Sequence, residues 1–406
     1  MTYDFNASLR QDLPVAARWT GYPTYNFVGG HNDAANIPAQ HLAEAAARSL
    51  ARDGHILATY NMGHGPQGYL PLRRVIATML HKSAGMVCDA SEIVVTSGSL
   101  QAIDLINAVM IQPGDTVIVE AATYAGALSR LRLHGADWVG VDIDEDGMRA
   151  DQLKQVLATM KSRNVRPKYI YTIPTVQNPT GTVMSVARRH EILDLATKYD
   201  VPIFEDDCYA DLMWGERRPP AIGALDTERR VIYCGSFSKS LAPALRLGYL
   251  IADWSLLNRV LPAKKDGGTG AIDQIAVAEY AAEYFASHVA GLRQTLKAKC
   301  EAMVEALEVH FGVAAEFEVP RGGIFLWVRL PDAVDTTKLA ETALAEGVAV
   351  NPGADWSADP ETGRHSIRLC FGNPSTETIK KGVARLAEIC RRETGIPERS
   401  ANLQQG

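Results

Sequence analysis

The chain is predicted to be α/β: a large domain with a mostly parallel seven-stranded sheet between helices, a smaller α+β C-terminal domain, and an N-terminal arm. Three observations predict this. Short apolar, β-branched runs alternate with longer amphipathic stretches between residues 93 and 251. After about residue 290 the pattern becomes a mixture of strands and helices. The length, 406 residues, suits two domains, or one large domain with a satellite.

Taken in order, the first 45 or so residues read as an irregular arm that carries the Gly29-Gly30 turn and packs with the small domain. The large domain is expected over residues 46–290. Its seven strands are IVVT at 93–96, TVIVE at 116–120, DWVGV at 137–141, KYIYTI at 168–173, VPIFE at 201–205, VIYC at 231–234 and LGYLI at 247–251. Their apolar continuity suits strands buried on both faces. Helical periodicity marks the stretches between them, such as SLQAIDLINAVM, ADQLKQVLATMKS and VARRHEILDLATKYD. The small domain is expected over 291–406, with a long helix, strands at AEFEV and IFLWVRL, a helix at KLAETALAEG, the strand SIRLCFG and a last helix near 375–393. The tail from Pro397 is polar and expected to fray.

Composition narrows the function classes. Apolar residues make up 47% and charged residues 22%, which suits a globular chain. Lys and Arg number 41 against 47 Asp and Glu, a net charge of −6, which argues against a nucleic-acid or anionic-membrane binder. The six cysteines are dispersed, with no CxxC pair, so no zinc knuckle is expected and a reducing, cytoplasmic setting is. The opening residues show no signal-peptide pattern, and no apolar run is long enough to span a bilayer.

Four short segments follow strands, where open α/β sheets bind ligands. Gly235-Ser236-Phe237-Ser238-Lys239 follows VIYC, with Arg246 beyond it. A confined lysine can act as an amine nucleophile, and hydroxyls with a guanidinium make a phosphate cradle; a solvated loop lysine is the commoner alternative. Thr96-Ser97-Gly98-Ser99-Leu100 opens a helix, whose N-terminal N–H groups suit phosphate as well as a plain serine cap. Glu205-Asp206-Asp207-Cys208-Tyr209 sets an acid at a strand end, for a protonated ring nitrogen or simply for water. No further ligands at matching spacing support a metal there. Gln177-Asn178-Pro179-Thr180-Gly181 is either a turn or an amide donor to a cofactor oxygen. Two other matches fail. Gly63-His64-Gly65-Pro66-Gln67-Gly68 spells GxGxxG, but Pro66 removes an N–H from the would-be cradle. Ser236 to Lys239 spells SxxK, but its companion motifs are absent.

Together these segments offer an amine, a phosphate cradle, a carboxylate and phenol or amide donors on one sheet edge, which is what pyridoxal 5'-phosphate requires. On them the chain resembles the fold-type I pyridoxal-phosphate enzymes of the class I/II aminotransferase family. The spacing from Lys239 to Arg246, with Pro243 between, is more similar to the α-aminoadipate aminotransferase branch, and to the catalytic domains of MocR regulators, than to the aspartate-aminotransferase branch. The resemblance implies that Lys239 forms the Schiff base and shuttles a proton, and that Asp206 holds the pyridinium nitrogen. It implies that Tyr209 and Asn178 bond the phenolic oxygen and that Tyr124 stacks on the ring. It assigns Gly98, Ser99, Leu100, Ser236, Ser238 and Arg246 to the phosphate, Arg368 to the substrate α-carboxylate, and Gly29 and Gly30 to the substrate pocket. The family's tyrosine for the neighbouring subunit's phosphate has Gly63 at its expected place, and Tyr60, just upstream, takes that part. No role attaches to His31-Asn32-Asp33.

The implied activity is ping-pong transamination between an L-amino acid and a 2-oxo acid by a cytoplasmic homodimer with shared sites, without nucleic-acid or membrane partners. The alternative is another pyridoxal-phosphate reaction on the same scaffold: a lyase, racemase, decarboxylase or oxidase. A third reading, a non-catalytic sensor, is opposed by the joint presence of Lys239, Asp206 and Arg368.

Overall fold

The computed structural model describes residues 4–9, 15–16, 18–19, 21–215 and 217–398. Along the chain come β1 (Tyr25–Asn26), α1 (Ala39–Asp53), α2 (Leu70–Ala84), β2 (Ile93–Thr96), α3 (Ser99–Met110), β3 (Thr116–Glu120), α4 (Ala125–Leu133) and β4 (Asp137–Val141). A small hairpin (β5, Ile143–Asp144; β6, Gly147–Met148) precedes α5 (Ala150–Ser162), β7 (Ile170–Thr172), α6 (Val186–Tyr199), β8 (Ile203–Asp206), α7 (Ile222–Leu225), β9 (Val231–Ser236) and β10 (Gly248–Ile251). Then follow α8 (Trp254–Ala263), α9 (Ala271–Glu283), α10 (Phe285–His310), β11 (Phe325–Arg329), α11 (Thr336–Ala345), β12 (Val348–Ala349), β13 (Asn351–Pro352), α12 (Pro360–Gly363), β14 (Ser366–Cys370) and α13 (Thr376–Thr394).

The main sheet has seven strands in the order β2-β10-β9-β8-β7-β3-β4. Only β10 runs antiparallel, wedged between β2 and β9. Strands β2, β7, β8, β9 and β10 are buried at every residue, as the apolar runs require. Helices close both faces, with one core holding Val94, Val117, Tyr169, Phe204 and Ile232 and another holding Ile118, Ile170, Ile203 and Val231.

A second core forms around α10 and α13 against β11 and β14. Helix α10 buries Val289, Leu292, Leu296, Cys300, Met303 and Leu307, a three-to-four-residue spacing. Helix α13 is capped by Ser375, whose Oγ accepts from Thr378 N at 3.1 Å, and is stopped by Gly395 at φ 77°. Strand β1 pairs with β12, and Phe27 enters this second core. The three-stranded sheet β11-β14-β13 is antiparallel. No described helix is long and apolar enough to cross a membrane.

Several local expectations change. Helix α1 starts at Ala39, inside the stretch read as irregular, with Ala45 and Ser49 buried along it. Gly235 and Ser236 belong to strand β9 rather than to the loop after it. Helix α10 begins at Phe285 and runs unbroken through residue 290. AEFEV forms a single bridge, Glu316 to Arg329, instead of a strand, and Val319 beyond it is exposed. The tail expected to fray from Pro397 lies beyond the described residues after Glu398, as do residues 1–3, 10–14, 17 and 20 of the arm.

Candidate functional site

The strand ends deliver the four segments to one place. Strands β2, β8 and β9 end side by side with the start of β10, which pairs Gly248 with both Thr96 and Ser236. A side chain on Gly248 would meet Gly98 C at 2.7 Å and Ser99 N at 2.8 Å, so glycine lets the two loops approach. Beyond these ends lies a cavity of about 310 Å³. It is lined by Gly30, Ser99, Leu100, Tyr124, Asn178, Asp206, Tyr209, Ser238, Lys239, Arg246 and Arg368, all expected from sequence.

Helix α3 begins at Ser99 with Gly98 as its cap residue at φ 85°, and no side chain caps it. Its first N–H groups therefore face the cavity mouth uncapped, at the positive end of the helix dipole. Arg246 reaches across: Nη2 donates to Ser97 O at 3.1 Å, and its guanidinium occupies the space a Gly98 side chain would fill. Arg246 sits at φ 51°, a strained backbone position for a non-glycine residue. Ser236 Oγ accepts from Ser238 N at 3.0 Å, so Ser236 shapes the loop while Ser238 lines the cavity.

Opposite this cradle, Asp206 closes β8. Its Oδ2 accepts from Tyr171 OH at 2.7 Å, whereas Oδ1 is buried and has no partner. Burial raises the carboxyl's pKa, and the nearby Cys208 and the Tyr171 hydroxyl oppose the rise. An unpaired buried acceptor costs about 1–3 kcal/mol, which a ligand N–H would relieve. Asn178 bridges two further groups: its Nδ2 donates to Tyr209 OH at 3.1 Å, and its Oδ1 accepts from Arg368 Nη1 at 2.9 Å. Arg368, buried on β14, stacks 3.6 Å from the Trp356 ring centroid, and its Nη2 donates to Val28 O at 3.2 Å.

Lys239 is enclosed, and its Nζ donates to Gly30 O. Burial lowers its pKa from 10.5; Arg368 and Arg246 lower it further, against Cys208 and Cys370. The neutral amine is the nucleophilic form. Capture of pyridoxal phosphate by the apoprotein should therefore rise with pH and level off through a midpoint below 10.5. Stopped-flow absorbance against pH checks this; a midpoint at or above 10.5 would contradict an enclosed amine.

Four expected residues are not among those lining the cavity: Gly98 and Ser236, which shape the loops beside it, and Gly29 and Tyr60. Gly29 does not line the cavity; a side chain there would collide with the His31 ring. Tyr60 is 88% exposed and borders a separate hollow with Gly267–Ala271. Sequence reasoning missed Val28, Ile173, Cys208, Pro243, Asn351 and Trp356 among the lining residues. It also missed Glu120, which accepts from Thr172 Oγ1 at 2.6 Å and Gln177 Nε2 at 3.0 Å and so steadies the loop that presents Asn178. Burial pushes the Glu120 carboxyl up to about 7.

These residues fit pyridoxal phosphate: an unpartnered carboxylate oxygen, an enclosed amine and an uncapped helix start with a guanidinium beside it. The comparisons agree. The family described as aminotransferase class I and II matches residues 27–386. Aromatic-amino-acid aminotransferase 1 of Thermococcus litoralis is 36% identical over 80% of this chain and 79% of its own length. The 2-aminoadipate transaminase of Thermus thermophilus is 33% identical over 90% of each chain. The crystal structure of Pyrococcus horikoshii kynurenine aminotransferase, in complex with PMP, superposes with a TM-score of 0.85 at 34% identity, covering 91% of both chains.

Proposed function

Because the chain belongs to the class I and II aminotransferase family, we propose that the cavity around Lys239 binds pyridoxal 5'-phosphate and transfers an amino group between an L-amino acid and a 2-oxo acid. The chain is an aminotransferase, and what carries this reading of its site is one arrangement: Lys239, Asp206 and Arg368 line the same cavity, and Asp206 keeps one buried oxygen without a partner.

Bound there, pyridoxal phosphate supplies an aldehyde for the substrate amine and a ring that delocalises the electrons of a broken Cα bond. Lys239 Nζ holds the cofactor at rest and, once freed, moves a proton to and from the substrate Cα; its lowered pKa keeps the amine available as a base. The Asp206 carboxylate would hold a proton on the ring nitrogen. The N–H groups of Ser99 and Leu100, with Ser238 and Arg246, bind phosphate. Tyr209 and Asn178 orient the ring oxygen, and the half-buried Tyr124 covers one face. Arg368 takes the substrate carboxylate with its planar fork, steadied by Asn178 and Trp356. The same reading makes the protein a homodimer, with Tyr60 presented outward to a second copy.

The test has two arms. Borohydride reduction of the cofactor-loaded protein should place a pyridoxyl group on the peptide bearing Lys239. In a screen of amino donors and 2-oxo acids, one new amino acid should form for each donor consumed, with parallel-line ping-pong kinetics. Release of ammonia, carbon dioxide or peroxide without acceptor amination would overturn the transaminase assignment.

A further inference from the structure

The strap His31-Asn32-Asp33, to which sequence attaches no role, grips the lysine. We propose that Asn32 is a positioning residue for Lys239; the inference rests on the cofactor reading above. Asn32 Nδ2 donates to the main-chain oxygen of Lys239 at 2.6 Å, and the side chain is 5% exposed. Two residues earlier on the same strap, Gly30 O accepts from Lys239 Nζ. The lysine is thus held at both ends, main chain and amine, by one short piece of chain.

The strap is anchored away from the sheet that carries Lys239. Strand β1 pairs with β12, Phe27 enters the core around α10 and α13, and Phe27 O accepts from Cys370 N at 2.8 Å. Buried Lys299, on α10, fixes the far end. Its Nζ pairs with Asp33 Oδ2 at 3.0 Å and donates to Gly372 O at 3.1 Å and Asn373 O at 3.2 Å. Asn373 Nδ2 in turn donates to Asn32 O at 3.3 Å. Arg368 touches the strap too, through Val28 O. The group assigned to substrate carboxylate and the group assigned to proton transfer therefore share one support.

The amide at position 32 is there for its donor. Its Oδ1 is buried without a partner, a defect that an apolar side chain of similar size would not carry. What an apolar side chain would lose is the N–H that fixes Lys239. The charged and titratable groups around Lys239 include Arg368, Arg246, His31, Cys208, Cys370 and the Tyr209 ring, 5.9 Å from Nζ, with Asp206 and Tyr124 lining the same cavity. Asn32 adds no charge to that set and acts on where the amine stands among them.

The experiment compares wild type with Asn32→Leu, which keeps the size and removes the donor without adding a charge beside Lys239, and with Asn32→Ala. Three quantities are read on purified protein: apoprotein melting temperature, the rate at which the apoprotein captures added pyridoxal phosphate, and kcat and KM of the loaded enzyme. The pH midpoint of the bound cofactor's colour change is a fourth. The expected result for Asn32→Leu is a melting temperature near wild type, a shifted colour midpoint, and capture and kcat lowered about three- to ten-fold, with donor KM unchanged. Should Asn32→Leu fail to fold, the Ala variant decides alone. Wild-type capture, midpoint and kcat in the deciding variant would overturn the proposal. A fall in activity that only follows a fall in melting temperature, with the midpoint unmoved, would also overturn it and leave a packing role. A wild-type protein that never takes up the cofactor refutes the function proposed above instead, so the two failures are distinguishable.

Discussion

Replacing Lys239 with alanine is expected to lower transamination by about 10²–10⁴-fold, the range that a positioned general acid–base group supplies, while the protein stays folded. The fold should survive because Lys239 lies in the loop after β9 and belongs to no strand, and its amine's hydrogen bond is to a single carbonyl, Gly30 O. Truncation removes a buried amine and leaves the sheet ladder intact. The measurement is single-turnover kinetics beside a melting curve, with peptide mapping after borohydride. Residual turnover close to wild type, or a pyridoxyl label on another lysine, would remove Lys239 from the role given it here. Added alkylamines give a second handle. An amine small enough for the vacated space can restore part of the proton transfer, and that rescue should grow with amine concentration.

The second large effect is expected at Arg368. Arg368→Ala should lower kcat/KM for amino acids by about 10²–10³-fold, consistent with about 2–5 kcal/mol for truncating one member of a buried, hydrogen-bonded charge pair. The loss should fall mainly on KM. Arg368→Lys should rescue little, because a point charge cannot reproduce the fork that meets both Asn178 Oδ1 and Val28 O. Simple amines that lack a carboxylate serve as the control: their slow reaction should be almost unchanged by either substitution. Equal losses for amines and amino acids would show that the residue acts by holding Asn178 rather than by binding carboxylate.

How much of this could be read from the residues alone depends on where the signal sits. Asp206, Asn178 and Lys239 were legible because each lies in a short polar segment just past an apolar run, and parallel strands deliver such segments to one edge. Gly98 was legible for the same reason, although its use as an uncapped helix start appears only in the backbone, at φ 85°. Trp356 was not legible. It lies in a short 3-10 turn between β13 and α12, and only folding stacks it on Arg368 from the neighbouring strand. Glu120 read as the end of a strand; its three acceptor contacts come from Thr172, Ile173 and Gln177, brought beside it by the β3–β7 pairing. The arm read as irregular, yet α1 begins within it at Ala39. Its buried residues, Ala45 and Ser49, are small and make no strong apolar stripe, and packing against α9 holds the helix. In AEFEV the alternation looked like a strand, but a sheet edge needs a partner along its length, and here the pairing with β11 is confined to Glu316 opposite Arg329.

The wedge made by β10 has a bearing on synthesis in the cell. Ser97 and Arg246 clasp each other across 149 positions of the polymer. A nascent polypeptide thus displays the first half of this contact long before the ribosome adds the second, at about 5–20 residues per second. On the proposed cofactor reading, the phosphate cradle would be complete only once Arg246 has been added. The vitamin derivative would then secure the folded chain by mass action, by about 2.7 kcal/mol at a hundred-fold excess over its dissociation constant.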